Sequence, residues 1–143
     1  MNPNGSPQRL IANALHPAEV SRVVLHEEIR RAIVLVTEDQ LGLAIGRRGE
    51  NVRSAHKLTG WDIEIMTAEE FDEQIEGATR DFAGLRGVSD RLASQLVERG
   101  YLSFEDLSVI EPGILKEMGG LTHQQADSII DQAENAAKDE DRR

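Results

Sequence analysis

The sequence predicts an α+β module followed by an all-α module, and three observations carry that division. Segments that read as strands stop at Ile65. Behind them the chain repeats itself at an offset of 33 residues in a helix-turn-helix pattern. Charge divides at the same place: residues 1–67 hold eight basic and eight acidic side chains, residues 68–143 eight basic and eighteen acidic. The second stretch therefore carries the whole net charge of −10. Such asymmetry suggests two modules with different partners, placed at 1–67 and 68–143.

In the first module, Ser6 and Pro7 begin a helix carrying Leu10, Ile11, Ala14 and Leu15, and His16-Pro17 ends it. Val20–Leu25 and Arg31–Val36 are rich in β-branched residues and read as an antiparallel hairpin around His26-Glu27-Glu28. Glu38 and Asp39 cap a short helix bearing Leu41, Ala44 and Ile45. Gly46-Arg47-Arg48-Gly49 follows, then a helix from about Glu50 to Thr59 with Val52, Ala55 and Leu58 on one side, closed by Gly60. Asp62-Ile63-Glu64-Ile65 alternates as a half-buried strand does.

Helix, strand, strand, helix, GxxG, helix, strand is the layout of a type II KH domain, a three-stranded sheet with helices on one face and a loop that clamps single-stranded backbone. The chemistry suits that task. Glycine allows close approach to a phosphate, and the N–H groups opening the second helix point outward at the positive end of its dipole. Arg47 and Arg48 add forked cationic donors, and the apolar strip of Ile45 and Val52 would accept base faces. A mononucleotide P-loop does not fit, because no Gly-Lys-Ser/Thr ends the loop and a helix precedes it.

In the second module, the offset aligns Leu85 with Met118, Gly87 with Gly120, Ser89 with Thr122, Ala93 with Ala126 and Leu96 with Ile129. Ser89 and Thr122 are N-cap types, Thr122 to Gln125 fits a capping box, and Pro112 suits a first turn. The result is five helices, roughly 69–83, 89–99, 104–110, 112–118 and 122–137, forming a tandem helix-hairpin-helix unit with a frayed tail from Lys138. Phe71, Ile75, Ala78 and Phe82 make a core stripe, and Glu69-Glu70 a solvated linker face. DNA is disfavoured as a partner: the usual second glycine of each hairpin turn is Ser89 or Thr122, and the field is strongly negative.

"LIANALHPAEV" (10–20), "EDQLGLAIGRRGENVRSAHKLTGWDIEIMT" (38–67) and the acidic helical tail resemble the C-terminal part of the NusA family of bacterial transcription factors. The resemblance implies a second KH domain and the module after it, acting with a first KH domain on nascent RNA. It further implies a role in pausing, termination and antitermination on RNA polymerase. Carried over by position, Gly46, Arg47, Arg48, Gly49, Asn51 and Arg53 are the expected RNA contacts. Glu50 and Ser54 stand where the family usually has glutamine and leucine. The family's polymerase-binding, OB-fold and first KH domains are not in this sequence, so it looks like an excised C-terminal fragment and weak RNA binding is expected of it alone. For the acidic module the resemblance implies docking to polymerase subunits or regulatory proteins.

Several function classes fall away on composition. With 39% hydrophobic residues the chain builds packed cores; with 3% aromatic it has few base-stacking platforms. Without cysteine it forms no disulfide or thiolate metal site, and neither a signal peptide nor a membrane-length apolar run is visible, so a bacterial cytoplasmic protein is expected. His16, His26, His56 and His123 are scattered, so no metal, cofactor or catalytic constellation is expected. A stand-alone RNA adaptor and a helix-hairpin-helix DNA binder remain as alternatives to the transcription-factor reading.

Overall fold

A hydroxyl cap and a proline open the first helix. Ser6 accepts the Arg9 N–H at 3.2 Å and Pro7 takes the first turn of α1 (Pro7–Ala14). The computed structural model describes residues 6–141. β1 (Arg22–His26) pairs antiparallel with β2 (Arg31–Leu35), from Arg22 opposite Leu35 to His26 opposite Arg31. The strand begins at Arg22, not Val20, because the Ser21 N–H already takes the last carbonyl of β2, that of Leu35, at 2.8 Å. A 3-10 turn at Glu27–Ile29 joins the strands and closes on Arg30, left-handed at φ 51°.

Two helices follow, α2 (Glu38–Ile45) and α3 (Glu50–Thr59), and then β3 (Asp62–Met66). β3 lies parallel to β2, Arg31 opposite Asp62 and Leu35 opposite Met66, in the sheet order β1-β2-β3. Parallel neighbours need a crossover, and α2 and α3 supply it. Ile11 and Leu15, with Ala44 of α2 and Ala55 of α3, pack on the sheet face that carries Ala32, Val34, Val36 and Ile63. The alternate residues Ile33, Leu35 and Met66 are buried as well.

Three local readings need correction. Thr37, not Glu38 or Asp39, holds the N-cap position of α2, and its hydroxyl donates to Asp39 at 2.5 Å instead of capping the backbone. Leu58 is 76% exposed while Ala55 is fully buried; six residues on from Val52 it lies about 120° round the helix, off the packed stripe. Glu70 is not a mere solvated face. Its carboxylate accepts the Thr67 N–H at 3.1 Å while the Thr67 hydroxyl accepts the Glu70 N–H at 3.2 Å, a reciprocal cap on α4 (Ala68–Ala83).

Packing divides the chain into two units, residues 1–72 and 73–143. Beyond α4 the second unit contains α5 (Asp90–Glu98), α6 (Phe104–Ser108), α7 (Pro112–Gly119) and α8 (His123–Asp141). Ser89 caps α5 through the Leu92 N–H, Ser103 caps α6 through the Asp106 N–H, and Thr122 and Gln125 exchange hydrogen bonds of 2.8 and 3.1 Å at the start of α8. The repeat is the core: Ala93 and Ala126, Leu96 and Ile129 are all buried, and Phe82 meets Phe104 edge-on at 6.1 Å. α8 runs on to Asp141, with Lys138 one turn from Glu134 at 3.4 Å, where the sequence suggested a frayed tail; residues 142 and 143 lie outside the described chain. Among the described residues no helix is long and apolar enough to cross a membrane.

Candidate nucleic-acid interface

Between α2 and α3 the backbone takes a path open to few residues. Gly46 sits at φ 80°, ψ 170°, and a Cβ placed there would lie 2.7 Å from both Cβ and N of Asn51. Glycine is therefore required by conformation and by space. A 3-10 turn over Arg47–Gly49 follows, with Arg48 left-handed at φ 55° and Gly49 at φ 76°. The Gly49 N–H bonds to the Gly46 carbonyl at 3.1 Å and the Glu50 N–H to that of Arg47. The donors at the mouth of α3 are thus partly spent inside the loop, and do not all point outward as expected. Among the described residues the N–H groups of Arg47 and Arg48 have no such bond.

The guanidinium groups of Arg47 and Arg48 are exposed and form no ion pair with a described residue. Two other expected contact residues hold the loop from behind. Asn51 directs its amide nitrogen to the carbonyls of Leu15, Leu43 and Ala44 at 3.2, 3.3 and 3.1 Å. Arg53 donates Nη1 to the Arg48 carbonyl at 2.6 Å, which helps hold that residue left-handed. Ile45 and Val52 flank the loop half-buried. Glu50 and Ser54 are exposed: the acid stands in the first turn of α3, where the dipole favours it, and the serine opens no gap in the core.

Immediately beyond Gly49, α3 and β3 flank an open groove of about 340 Å³ lined by Val52, Arg53, His56, Lys57, Asp62 and Ile63. His56 is fixed by a 2.6 Å hydrogen bond from Nδ1 to the Trp61 carbonyl. Asp62 is compensated by Arg31 at 3.1 Å, and Arg30 lies over the Trp61 ring at 5.1 Å. Sequence reasoning centred on the loop missed this groove. Its signal was present in part: Arg53, His56 and Lys57 fall at helical three- and four-residue spacing, which puts basic side chains on one face of α3. Asp62 and Ile63 join them only through the strand crossover.

In the second unit both hairpin turns have a left-handed glycine, Gly87 at φ 89° and Gly120 at φ 60°. Nearby amides are already occupied. The side-chain amide of Gln132 accepts the Arg86 N–H and donates to the Arg86 carbonyl, both at 2.9 Å, and Gln125 takes the Thr122 N–H at 2.8 Å. A phosphate would have to displace these bonds.

Comparison with known proteins agrees with this division. Residues 7–73 match the family described as the NusA-like second KH domain, and residues 79–135 match the SAM-like helix-hairpin-helix tandem. The transcription termination/antitermination protein NusA of Rickettsia prowazekii (strain Madrid E) is 32% identical over 123 residues, 83% of this chain and 24% of that protein. Its counterpart in Rickettsia conorii (strain ATCC VR-613 / Malish 7) is 32% identical over 134 residues, 89% of this chain and 27% of that protein. The chain thus spans about a quarter of the length of the curated relatives it matches. It belongs to the NusA family, in which it corresponds to the second KH domain and the helix-hairpin-helix module that follows.

Proposed function

We propose that the front unit grips the ribose-phosphate chain of single-stranded nascent RNA through Gly46, Arg47, Arg48 and Gly49. The observation that carries this reading is the pair of exposed, internally unpaired guanidinium groups on a glycine-shaped loop beside a cationic groove. Arg47 and Arg48 offer their side chains and their two free N–H groups to successive phosphate oxygens. Ile45 and Val52 receive base faces. Asn51 and Arg53 serve chiefly as struts, Arg53 with further donors facing solvent.

The second unit, which carries the negative charge, repels a polyanion and docks proteins, RNA polymerase and transcription regulators being the partners that the family suggests. The occupied amides at Arg86 and Thr122 also argue against DNA. Within a longer protein, the two units would tie RNA contact to pausing, termination and antitermination. No catalysis, metal or cofactor enters this reading.

The test is fluorescence anisotropy with a short labelled single-stranded RNA across a salt series, comparing the wild type with Arg47→Asp/Arg48→Asp. Neutralising two phosphates gives a slope of about −1.4 in log K against log salt, since each contributes about −0.7 on a single strand. The double variant should lose that slope and its binding while keeping its melting temperature, both side chains being exposed. Retained affinity with unchanged melting would overturn the proposal.

A further inference from the structure

Among the described residues only two that are not glycine take a left-handed backbone, Arg48 at φ 55° and Arg30 at φ 51°. Both are exposed arginines. Arg48 belongs to the loop of the proposed clamp. Arg30 closes the 3-10 turn between β1 and β2, a position that glycine or asparagine would fill with less strain. Its backbone is held on both sides: the N–H bonds to the Glu27 carbonyl at 3.2 Å, and the carbonyl accepts the Asp62 N–H at 2.8 Å. Its guanidinium carbon stands 5.1 Å from the centroid of the Trp61 ring, with Nη2 beside Gly60. The ring contact orients the group and leaves its donors free, since Arg30 makes no side-chain hydrogen bond or ion pair with a described residue. The next residue differs: Arg31 is committed to Asp62 at 3.1 Å and Glu64 at 3.8 Å.

We infer that Arg30 is a second phosphate contact for the same RNA strand, gripping its backbone after the strand has run from the Gly46–Gly49 loop along the length of α3. The inference rests on the clamp proposed above, which delivers the strand. The ten residues of α3 lie between its left-handed caps, Gly49 and Gly60, and span about 15 Å. Arg30, beside Gly60, therefore meets a phosphate well along the strand from those held by Arg47 and Arg48. A guanidinium resting on an indole keeps its N–H edges for a phosphate fork, and its orientation is set before the strand arrives. Backbone strain held at an exposed cation, on a turn that glycine would close more easily, is accounted for by such a contact. Glu27 and Glu28 precede Arg30 in the turn and temper the local field, so the site offers one contact and not a basic patch.

The probe is labelled oligouridine in two lengths, about four nucleotides, the reach of one KH loop, and about twelve, titrated by fluorescence anisotropy across a salt series. Arg30→Asn and Arg30→Gly both remove the guanidinium while suiting the left-handed turn, and a cooperative urea transition followed by Trp61 shows that each still folds. Both should weaken binding of the longer RNA about two- to fivefold, the worth of one exposed charge pair. Both should also make its slope of log K against log salt shallower by about 0.7. The short RNA should bind the variants as it binds the wild type, and Arg30→Lys, which keeps the charge, should keep the slope. Unchanged binding of the longer RNA overturns the inference, as does equal weakening on both lengths. A fall in affinity with an unaltered slope overturns the phosphate contact in favour of a base resting on Arg30. If Arg30→Asn binds like the wild type while Arg47→Asp/Arg48→Asp abolishes binding, the clamp stands and this inference falls; no binding of either RNA by the wild type overturns both readings.

Discussion

Replacing Gly46 by alanine should destabilise the front unit by about 3 kcal/mol. One contribution is conformational: φ 80°, ψ 170° is a region nearly confined to glycine, and holding another residue there costs about 1–3 kcal/mol. The other is steric. The new Cβ would stand 2.7 Å from the backbone nitrogen of Asn51, in the first turn of α3, and a backbone atom cannot rotate aside. Relieving that overlap costs about 1–3 kcal/mol, and since one backbone shift eases both strains the contributions do not simply add. For a unit of this size ~3 kcal/mol lowers the melting temperature by roughly 12–24 °C. Trp61 is the only tryptophan of the chain and is buried in the front unit, so its fluorescence follows that unit in a urea titration. The midpoint should fall with the slope unchanged. Gly42→Ala is the control: no atom lies within 4 Å of its added Cβ, and inside α2 alanine should be neutral or stabilising by up to about 1 kcal/mol. Equal urea midpoints for the two variants would refute this account of the loop.

The remaining predictions concern the acid side of the pH scale and the second unit. Burial, and then the nearby Arg31 charge, hold the His26 pKa below its ordinary 6.5. The unfolded chain then binds the proton more readily, so stability is full above about pH 6.5 and falls as pH drops from there towards the lowered folded value. His26→Gln should flatten that part of the Trp61-monitored profile, and identical profiles would refute the linkage. Gln132→Ala strips both hydrogen bonds from the Arg86 backbone and should cost about 1–3 kcal/mol in a circular-dichroism melt, leaving RNA affinity unchanged. Hydrogen exchange should show faster turnover at the Arg86 amide in the same variant.

Much of the fold was legible because glycine and proline punctuate this chain. Gly49 and Gly60, both left-handed, bound α3 at the residues where the sequence suggested, Glu50 and Thr59. The repeat aligned Ala93 with Ala126 and Leu96 with Ile129, all core positions, because equal hairpins bury equal sites. What stayed hidden was non-local. Asn51 reads as a polar helix residue beside a phosphate loop, yet one of its three carbonyl partners, Leu15, lies 36 residues away. The groove likewise assembles from α3 and β3, and no spacing rule joins His56 to Asp62. The cap by Glu70 is local chemistry: Thr67-x-x-Glu70 forms the same reciprocal box as Thr122-x-x-Gln125, although it follows a strand and not a glycine turn.

Asn51 and Arg53 brace the Gly46–Gly49 loop from the protein side, so its architecture does not depend on the two side chains that face outward. On the proposed reading, variation at Arg47 would tune the hold on a polyanion without touching the thermodynamic integrity of the scaffold, since that side chain is exposed. Arg48 has less latitude, since any successor must tolerate the same left-handed backbone. In this chain, the proposed grip and the stability of the loop rest on different side chains.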